Sequence, residues 1–216
     1  LQSNLINIVL VETSHPGNIG SVARAMKTMG LSRLSLVNPR KFPSGEANAL
    51  SGNATDVLDN ATVYSSIEEA IKDSTYVYAT SSRNRTIQWP TLNAEQAAVT
   101  ICDQSNNKKG VSILFGREDR GLTNEELQLA NTHIEIPANP EYPVLNLAMS
   151  TQILCYEIFK ASHDTEDAFS STRMGLIPIP TATFRTSWDG RFGHVTLRVM
   201  AAWENPHLSP PVPTPT

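Results

Sequence analysis

Four stretches of the sequence concentrate side chains able to hold a phosphate, a ribose or an adenine ring. In the first, Glu12-Thr13-Ser14-His15-Pro16-Gly17-Asn18-Ile19-Gly20 leads into a helical segment on which Arg24 follows Gly20 by four residues. At about 100° per residue, positions 17, 20, 21, 24 and 28 share one face. Arg24 then points away from the apolar stripe, and its small neighbours leave room for a phosphate or ribose. The alternative is a surface arginine on a helix that needs its glycines for packing. In the second stretch, Thr80-Ser81-Ser82-Arg83-Asn84-Arg85-Thr86, hydroxyls and two arginines cluster in a loop suited to phosphate oxygens. A solvated hydrophilic loop is its other reading. The third, Phe115-Gly116-Arg117-Glu118-Asp119-Arg120-Gly121-Leu122-Thr123-Asn124-Glu125-Glu126, has glycines at phosphate-loop spacing, but Leu122 stands where the phosphate-binding lysine belongs. Glu118 also opposes a triphosphate, so this turn suits a neutral or cationic ligand. The fourth, residues 136–148, carries Pro137, Pro140 and Pro143 in a loop delivered to a helix start. Such a stiff loop offers backbone groups to a ring such as adenine, or merely joins a strand to a helix. No Ser/His/Asp set of recognisable spacing appears, and no carboxylate and histidine cluster suggests a metal.

Ligands of open α/β sheets sit outside the carboxyl ends of the strands, so these loops need a parallel sheet to gather them. Up to about residue 161 short β-branched runs alternate with segments of helical period, the pattern of strands joined by crossover helices. Strands are expected over 5–11, 34–37, 61–64, 75–80, 111–115 and 133–136. Asn18 precedes an apolar stripe of Ile19, Val22, Ala23, Met26 and Met29, with Gly30 as the stop. Ser66 with Glu69, and Thr123 with Glu126, have the spacing of capping boxes, and Asn146 can cap a last long helix over 147–161.

Hydrophobic residues at 40% and charged residues at 18% fit a globular α/β chain. No apolar run approaches the roughly 20 residues of a membrane-spanning helix. The start lacks a basic region and a cleavage site, so it reads as a first buried strand of a cytoplasmic protein. Cys102 and Cys155 are too few for a disulfide framework and read as inert buried thiols. A net charge of -4 excludes a wholesale basic surface but leaves room for a nucleic-acid site built on a local cluster of arginine and lysine. Seven of the fourteen prolines fall after residue 164. The expectation is therefore a domain over 1–163 and a Pro-rich extension over 164–216, poorly ordered or forming a short helix near 195–203.

Taken together, these loops resemble the SPOUT superfamily of S-adenosylmethionine-dependent RNA methyltransferases, in its SpoU branch of ribose 2'-O-methylators. Asn18-x-Gly20-x-x-x-Arg24 resembles the first motif of that branch, Phe115-Gly116-Arg117-Glu118-x-x-Gly121-Leu122 the second, and Leu145-Asn146-Leu147-Ala148 after Ile136-Pro137 the third. The resemblance covers about residues 6–161. Within the branch, the stretches 10–15, 25–30 and 138–142 look most like bacterial tRNA methyltransferases that act on an anticodon-loop pyrimidine.

The resemblance implies a deep trefoil knot in the C-terminal half of the domain, S-adenosylmethionine bent within it, and a homodimer acting on tRNA, with no role for DNA or membrane. It implies cofactor contacts at Thr80, Ser81, Ser82, Gly116, Ile136, Pro143, Val144 and Leu145. It implies that Arg24 acts at the reacting ribose across the dimer interface, and that Asn18, Arg83, Arg85, Arg117, Glu118 and Asn146 meet the substrate. A guanidinium suits that task because it stays charged, grips a phosphate and stabilises a developing alkoxide. Two positions depart from the pattern: Val144 stands where serine is usual, and Asn53 where glycine is expected, a place Asn fills if the backbone is left-handed. Two alternatives are an RNA-binding dimer without catalysis, and the same chemistry on ribosomal RNA.

Overall fold

The computed structural model describes residues 2–81, 90–163, 184–188 and 191–195. Strands β1 (Ile6–Val11), β2 (Arg33–Val37), β3 (Thr62–Tyr64), β4 (Tyr76–Thr80), β5 (Thr91–Asn93), β6 (Val111–Phe115) and β7 (Thr132–Glu135) form one sheet in the order β3-β2-β1-β6-β4-β7-β5. Every pairing in it is parallel. β1 is buried along its whole length, as a near-continuous apolar strand covered on both faces must be. Its side chains alternate: Ile6, Ile8 and Leu10 enter one core layer, Val9 and Val11 the other. The polar exception, Asn7, is fully satisfied. Its amide donates to the Ala70 carbonyl (3.2 Å) and Ser112 Oγ (3.1 Å), and its oxygen accepts from Ser35 Oγ (2.8 Å), pinning β2, β1 and β6 in one register.

The larger layer is built on helices α1 (Pro16–Thr28), α2 (Gly45–Ser51), α3 (Thr55–Asp59), α5 (Ala94–Asn106) and α7 (Leu147–His163); α4 (Ile67–Ile71) and α6 (Asn124–Leu127) cover the other face. Among the described residues no helix is long and apolar enough to cross a membrane. The expected parallel sheet is present with all six foreseen strands, and a seventh, β5, was not foreseen because three residues carry no measurable alternation.

The helix signals fared unevenly. α1 starts at Pro16, with His15 in the cap position, so Asn18 lies inside the first turn and not before it. A proline pre-set for the first helical position outranks the Asn signal. Gly30 stops α1 with φ +74°, and Thr123 and Glu126 make a complete capping box. Asn146 Oδ1 accepts the Ala148 amide at 2.8 Å, as a cap for α7. Ser66 caps α4, but Glu69 reaches back to Ser65 and not to Ser66. At 52–53 the left-handed residue is Gly52 (φ +57°); Asn53 instead offers its carbonyl to Lys27 Nζ at 2.8 Å, so its departure from glycine costs no backbone strain.

A second unit, Ser171–Thr216, holds an antiparallel pair, β8 (Phe184–Trp188) with β9 (Arg191–Val195). The expected Pro-rich extension over 164–216 thus holds this strand pair among its described residues. Of the expected helix near 195–203, residues 196–203 lie outside the described residues.

Candidate active site

A cavity of about 140 Å³ opens at the carboxyl ends of β4, β6 and β7, strands that are neighbours in the sheet but not in the chain. Its wall includes Thr80 and Ser81 after β4, Gly116 to Leu122 after β6, Ile136 after β7, and Pro143, Val144 and Leu145 before α7. The strand ends are held tightly. Ser81 N donates to the Ile134 carbonyl (3.0 Å) and Thr80 Oγ1 to the Leu114 carbonyl (3.0 Å). At Gly116 a Cβ would run into the backbone of Gly121 and Leu122, so only glycine lets the loop fold back on itself here. The loop closes with the Gly121 amide on the Arg117 carbonyl (2.9 Å), and Gly121 adopts φ +71°.

The three motif stretches meet at Glu118. Its Oε2 accepts from Ser14 N (3.0 Å) and Ser14 Oγ (2.9 Å), and its Oε1 from Asn18 Nδ2 (2.8 Å) and His15 N (3.3 Å). Asn18 Oδ1 in turn accepts from Asn146 Nδ2 at 3.2 Å. Burial pushes the Glu118 carboxyl up, but the bonds from Ser14 and Asn18 outweigh it and leave the group below the ordinary glutamate range. A carboxylate is also favoured where it sits, against the amino end of α1. Glu118 thus remains charged on the cavity wall while tying the loops after β1 and β6 to the start of α7.

Arg117 points the other way. Its Nε donates to Glu12 Oε2 (2.7 Å), and its Nη1 and Nη2 to the two oxygens of Glu126 (2.8 Å each), with the side chain only 8% exposed. The bonds to Glu12 and then Glu126 raise the guanidinium far above its ordinary value, and Glu12 is lowered by the same contact. Glu12 itself stands at φ +47°, a conformation that turns the chain sharply out of β1. Two carboxylates take three of its five N–H donors, so bracing of the glycine loop competes with the expected RNA contact at Arg117. Arg117→Ala is expected to cost about 1.5 to 3 kcal/mol of stability, the scale of one hydrogen bond to a charged group, measured by urea unfolding. Unchanged stability with weakened RNA binding would restore the substrate role.

The other expected residues divide into four groups. Thr80, Ser81, Gly116, Ile136, Pro143, Val144 and Leu145 converge on the one cavity. Asn18 and Asn146 are bonded to each other beside it and do not line it. Ser82, Arg83 and Arg85 lie outside the described residues. Arg24 is exposed on α1, away from this cavity, and has no ion-pair partner among the described residues. The space expected beside it is filled: Gly17 packs against Glu46 and Leu50, and Gly20 against the Ala47 backbone, so the glycines serve the contact of α1 with α2. Cys102 and Cys155 are buried, and burial raises their thiols to about 11 and about 12, which makes poor nucleophiles of both. Sequence reasoning missed Ser14, Glu12 and Ser150. Glu126 was seen only as a cap, although a carboxylate nine residues after an arginine on a returning loop is also placed to pair with it.

Sheet order and cavity define a methyltransferase fold of the SPOUT type. The crystal structure of TrmJ from Z. mobilis ZM4 matches it with a TM-score of 0.69 and 42% identity, over 74% of this chain and 70% of that one. The profile of the SpoU rRNA Methylase family matches residues 5–156, and the chain belongs to that family. It is 52% identical over 153 residues to the tRNA (cytidine/uridine-2'-O-)-methyltransferase TrmJ of Pectobacterium atrosepticum, covering 71% of this chain and 63% of that protein. It is 50% identical over 153 residues to the tRNA (cytidine/uridine/adenosine-2'-O-)-methyltransferase TrmJ of Pseudomonas aeruginosa, covering 71% of this chain and 60% of that protein. The chain thus spans somewhat under two thirds of the length of these relatives.

Proposed function

We propose that this chain, as a homodimer in the cytoplasm, transfers a methyl group from S-adenosylmethionine to the ribose 2'-hydroxyl of an anticodon-loop pyrimidine in tRNA. The observation that carries the reading is the convergence of residues 80–81, 116, 136 and 143–145 on one cavity with an ionised carboxylate in its wall. The donor set fits a cationic sulfonium carrying an adenine. Leu122, Leu127, Ile134, Ile136 and Leu147 supply apolar surface for a ring, and Glu118 supplies a negative charge without a lysine that would call for a triphosphate. Bound there, the cofactor supplies a methyl group that is already activated, so the chemistry needs no metal. A trefoil knot in the C-terminal half belongs to the same reading.

The protein's own task is then to orient a hydroxyl and stabilise its oxygen as the proton leaves. Arg24 is suited to this because nothing described competes for its guanidinium. The partner subunit's Arg24 would complete each cavity, since Arg24 stands outside the cavity of its own chain. Arg83 and Arg85 would hold phosphates beside the reacting nucleotide. Val144 brings no hydroxyl to the rim, but Ser150, one turn into α7, lines the same cavity. The test is methyl transfer from labelled S-adenosylmethionine to tRNA transcript and to the same transcript already bearing a 2'-O-methyl at the target. Incorporation is expected in the first only, and equal incorporation into both would overturn the assignment. The relatives differ in whether adenosine is named beside cytidine and uridine, so the transcripts should present each base in turn.

A further inference from the structure

We propose that Tyr142 is a stacking platform for an unpaired nucleobase of the RNA, beside the ribose that is methylated; this rests on the function proposed above. Tyr142 is 80% exposed, the most exposed of the large hydrophobic side chains among the described residues. Its position gives that exposure meaning. The next three residues, Pro143, Val144 and Leu145, line the cavity, so the backbone that carries the ring runs directly into the cavity wall.

The loop that presents it is already ordered. Tyr142 N donates to the Asn139 carbonyl (2.9 Å) and Glu141 N to Asn139 Oδ1 (3.1 Å), while Pro137, Pro140 and Pro143 fix the backbone around them. Asn146 anchors the far end through its cap on α7 and its bond to Asn18. A ring held this way loses little freedom on binding, which is what makes an exposed aromatic an effective contact.

The chemistry at the mouth selects a base over a phosphate. Exposed Glu141 directly precedes Tyr142 and disfavours a phosphate at that point of the loop, whereas Val144, 59% exposed, extends the apolar surface towards the cavity. A nucleotide that offers its 2'-hydroxyl to the cavity carries its base about one ring width away, and bases of single-stranded loops are held by aromatic faces. Stacking accepts any base, since each has a π-face.

The test uses the full chain with Tyr142→Ala and Tyr142→Phe. Two readouts are steady-state methylation of tRNA transcript, and quenching of 2-aminopurine placed at the target nucleotide, which reports stacking without any turnover. Tyr142→Ala is expected to raise KM for RNA by about 5- to 100-fold and to abolish the quenching, while Tyr142→Phe keeps both. S-adenosylhomocysteine affinity by calorimetry stays unchanged in each. Equal quenching by the unaltered chain and Tyr142→Ala overturns the proposal. So does a parallel loss of cofactor affinity, or a change in sedimentation showing that the ring covers a second copy of the chain. An unaltered chain that quenches the probe yet methylates no RNA would sink the proposed activity and leave the platform standing.

Discussion

Arg24→Ala is expected to lower methyl transfer by about 100- to 1,000-fold, the cost of removing one donor to a developing oxyanion, with S-adenosylhomocysteine affinity held within about threefold. The split between the two measurements follows from where the residue stands. Arg24 takes no part in the cavity wall of its own chain, and across the dimer it is assigned to the reacting ribose, so the wall that would hold the cofactor keeps its residues when Arg24 is cut away. Nor does it support the fold: its side chain is exposed, and its helix is fixed by the glycine contacts of α1 with α2 and by the buried stripe of Ile19, Val22, Ala23 and Met26. A guanidinium maintained without an internal carboxylate remains available for an external anion. Arg24→Lys should recover only part of the rate, because an ammonium keeps the charge but not the planar fork that aligns a phosphate and an oxygen together. Single-turnover methylation and calorimetry, run on the same preparations, check both statements. Equal losses in rate and cofactor affinity would make Arg24 a structural residue.

The contrast between Arg24 and Arg117 shows what a sequence can and cannot reveal about such a site. Both are arginines in motif positions, and the resemblance implied a catalytic role at the ribose for Arg24 and a substrate contact for Arg117. Arg24 lies on a helix, where spacing fixes direction, and it does point outward from the stripe as the 3.6 period requires. Arg117 lies in a loop, where no period exists, and its direction was decided by Glu12 from the end of β1 and Glu126 from the start of α6. The same divide runs through the fold. The central strands were legible because full burial leaves a near-continuous apolar run, interrupted only by Asn7 in β1 and Ser112 in β6. β5 and the short helices α2 and α3 were not, because three to seven residues hold too little period to separate from loop. The glycines of α1 were legible as a need for close approach, but not as to what approaches: it is α2, with the Ala47 backbone at Gly20 and the Glu46 and Leu50 side chains at Gly17. The cavity was foreseen through resemblance, as loops that converge, and the carboxylate that binds those loops together was assigned to substrate.

That carboxylate yields the second large effect. Glu118→Gln should lower the rate by about 10- to 100-fold and weaken cofactor binding, because it releases the loop after β1 from the loop after β6 and removes one of the two carboxylates of the cavity wall, leaving Asp119. An amide has one acceptor atom where the carboxylate has two, and its NH2 would face the donors of Ser14 or those of Asn18 and His15. Two donors are then left without a partner, both half-buried on the Ser14 side, one half-buried and one exposed on the side of Asn18 and His15. The stability cost is about 1.5 to 3 kcal/mol, on the scale of a hydrogen bond to a charged group. The pH dependence distinguishes this tie from a simple change of shape. The folded carboxyl titrates below the ordinary glutamate range, so its contribution is fully present above that range and disappears as the pH falls through the folded value. The other carboxylates titrate alike in both proteins and cancel in the difference. Urea unfolding of the unaltered chain and Glu118→Gln should therefore show a constant gap near neutrality that narrows in acid. A gap that stayed constant into acid would mean that the charge of Glu118 does not hold the loops together, and that Asn18 and Asn146 are positioned by packing alone.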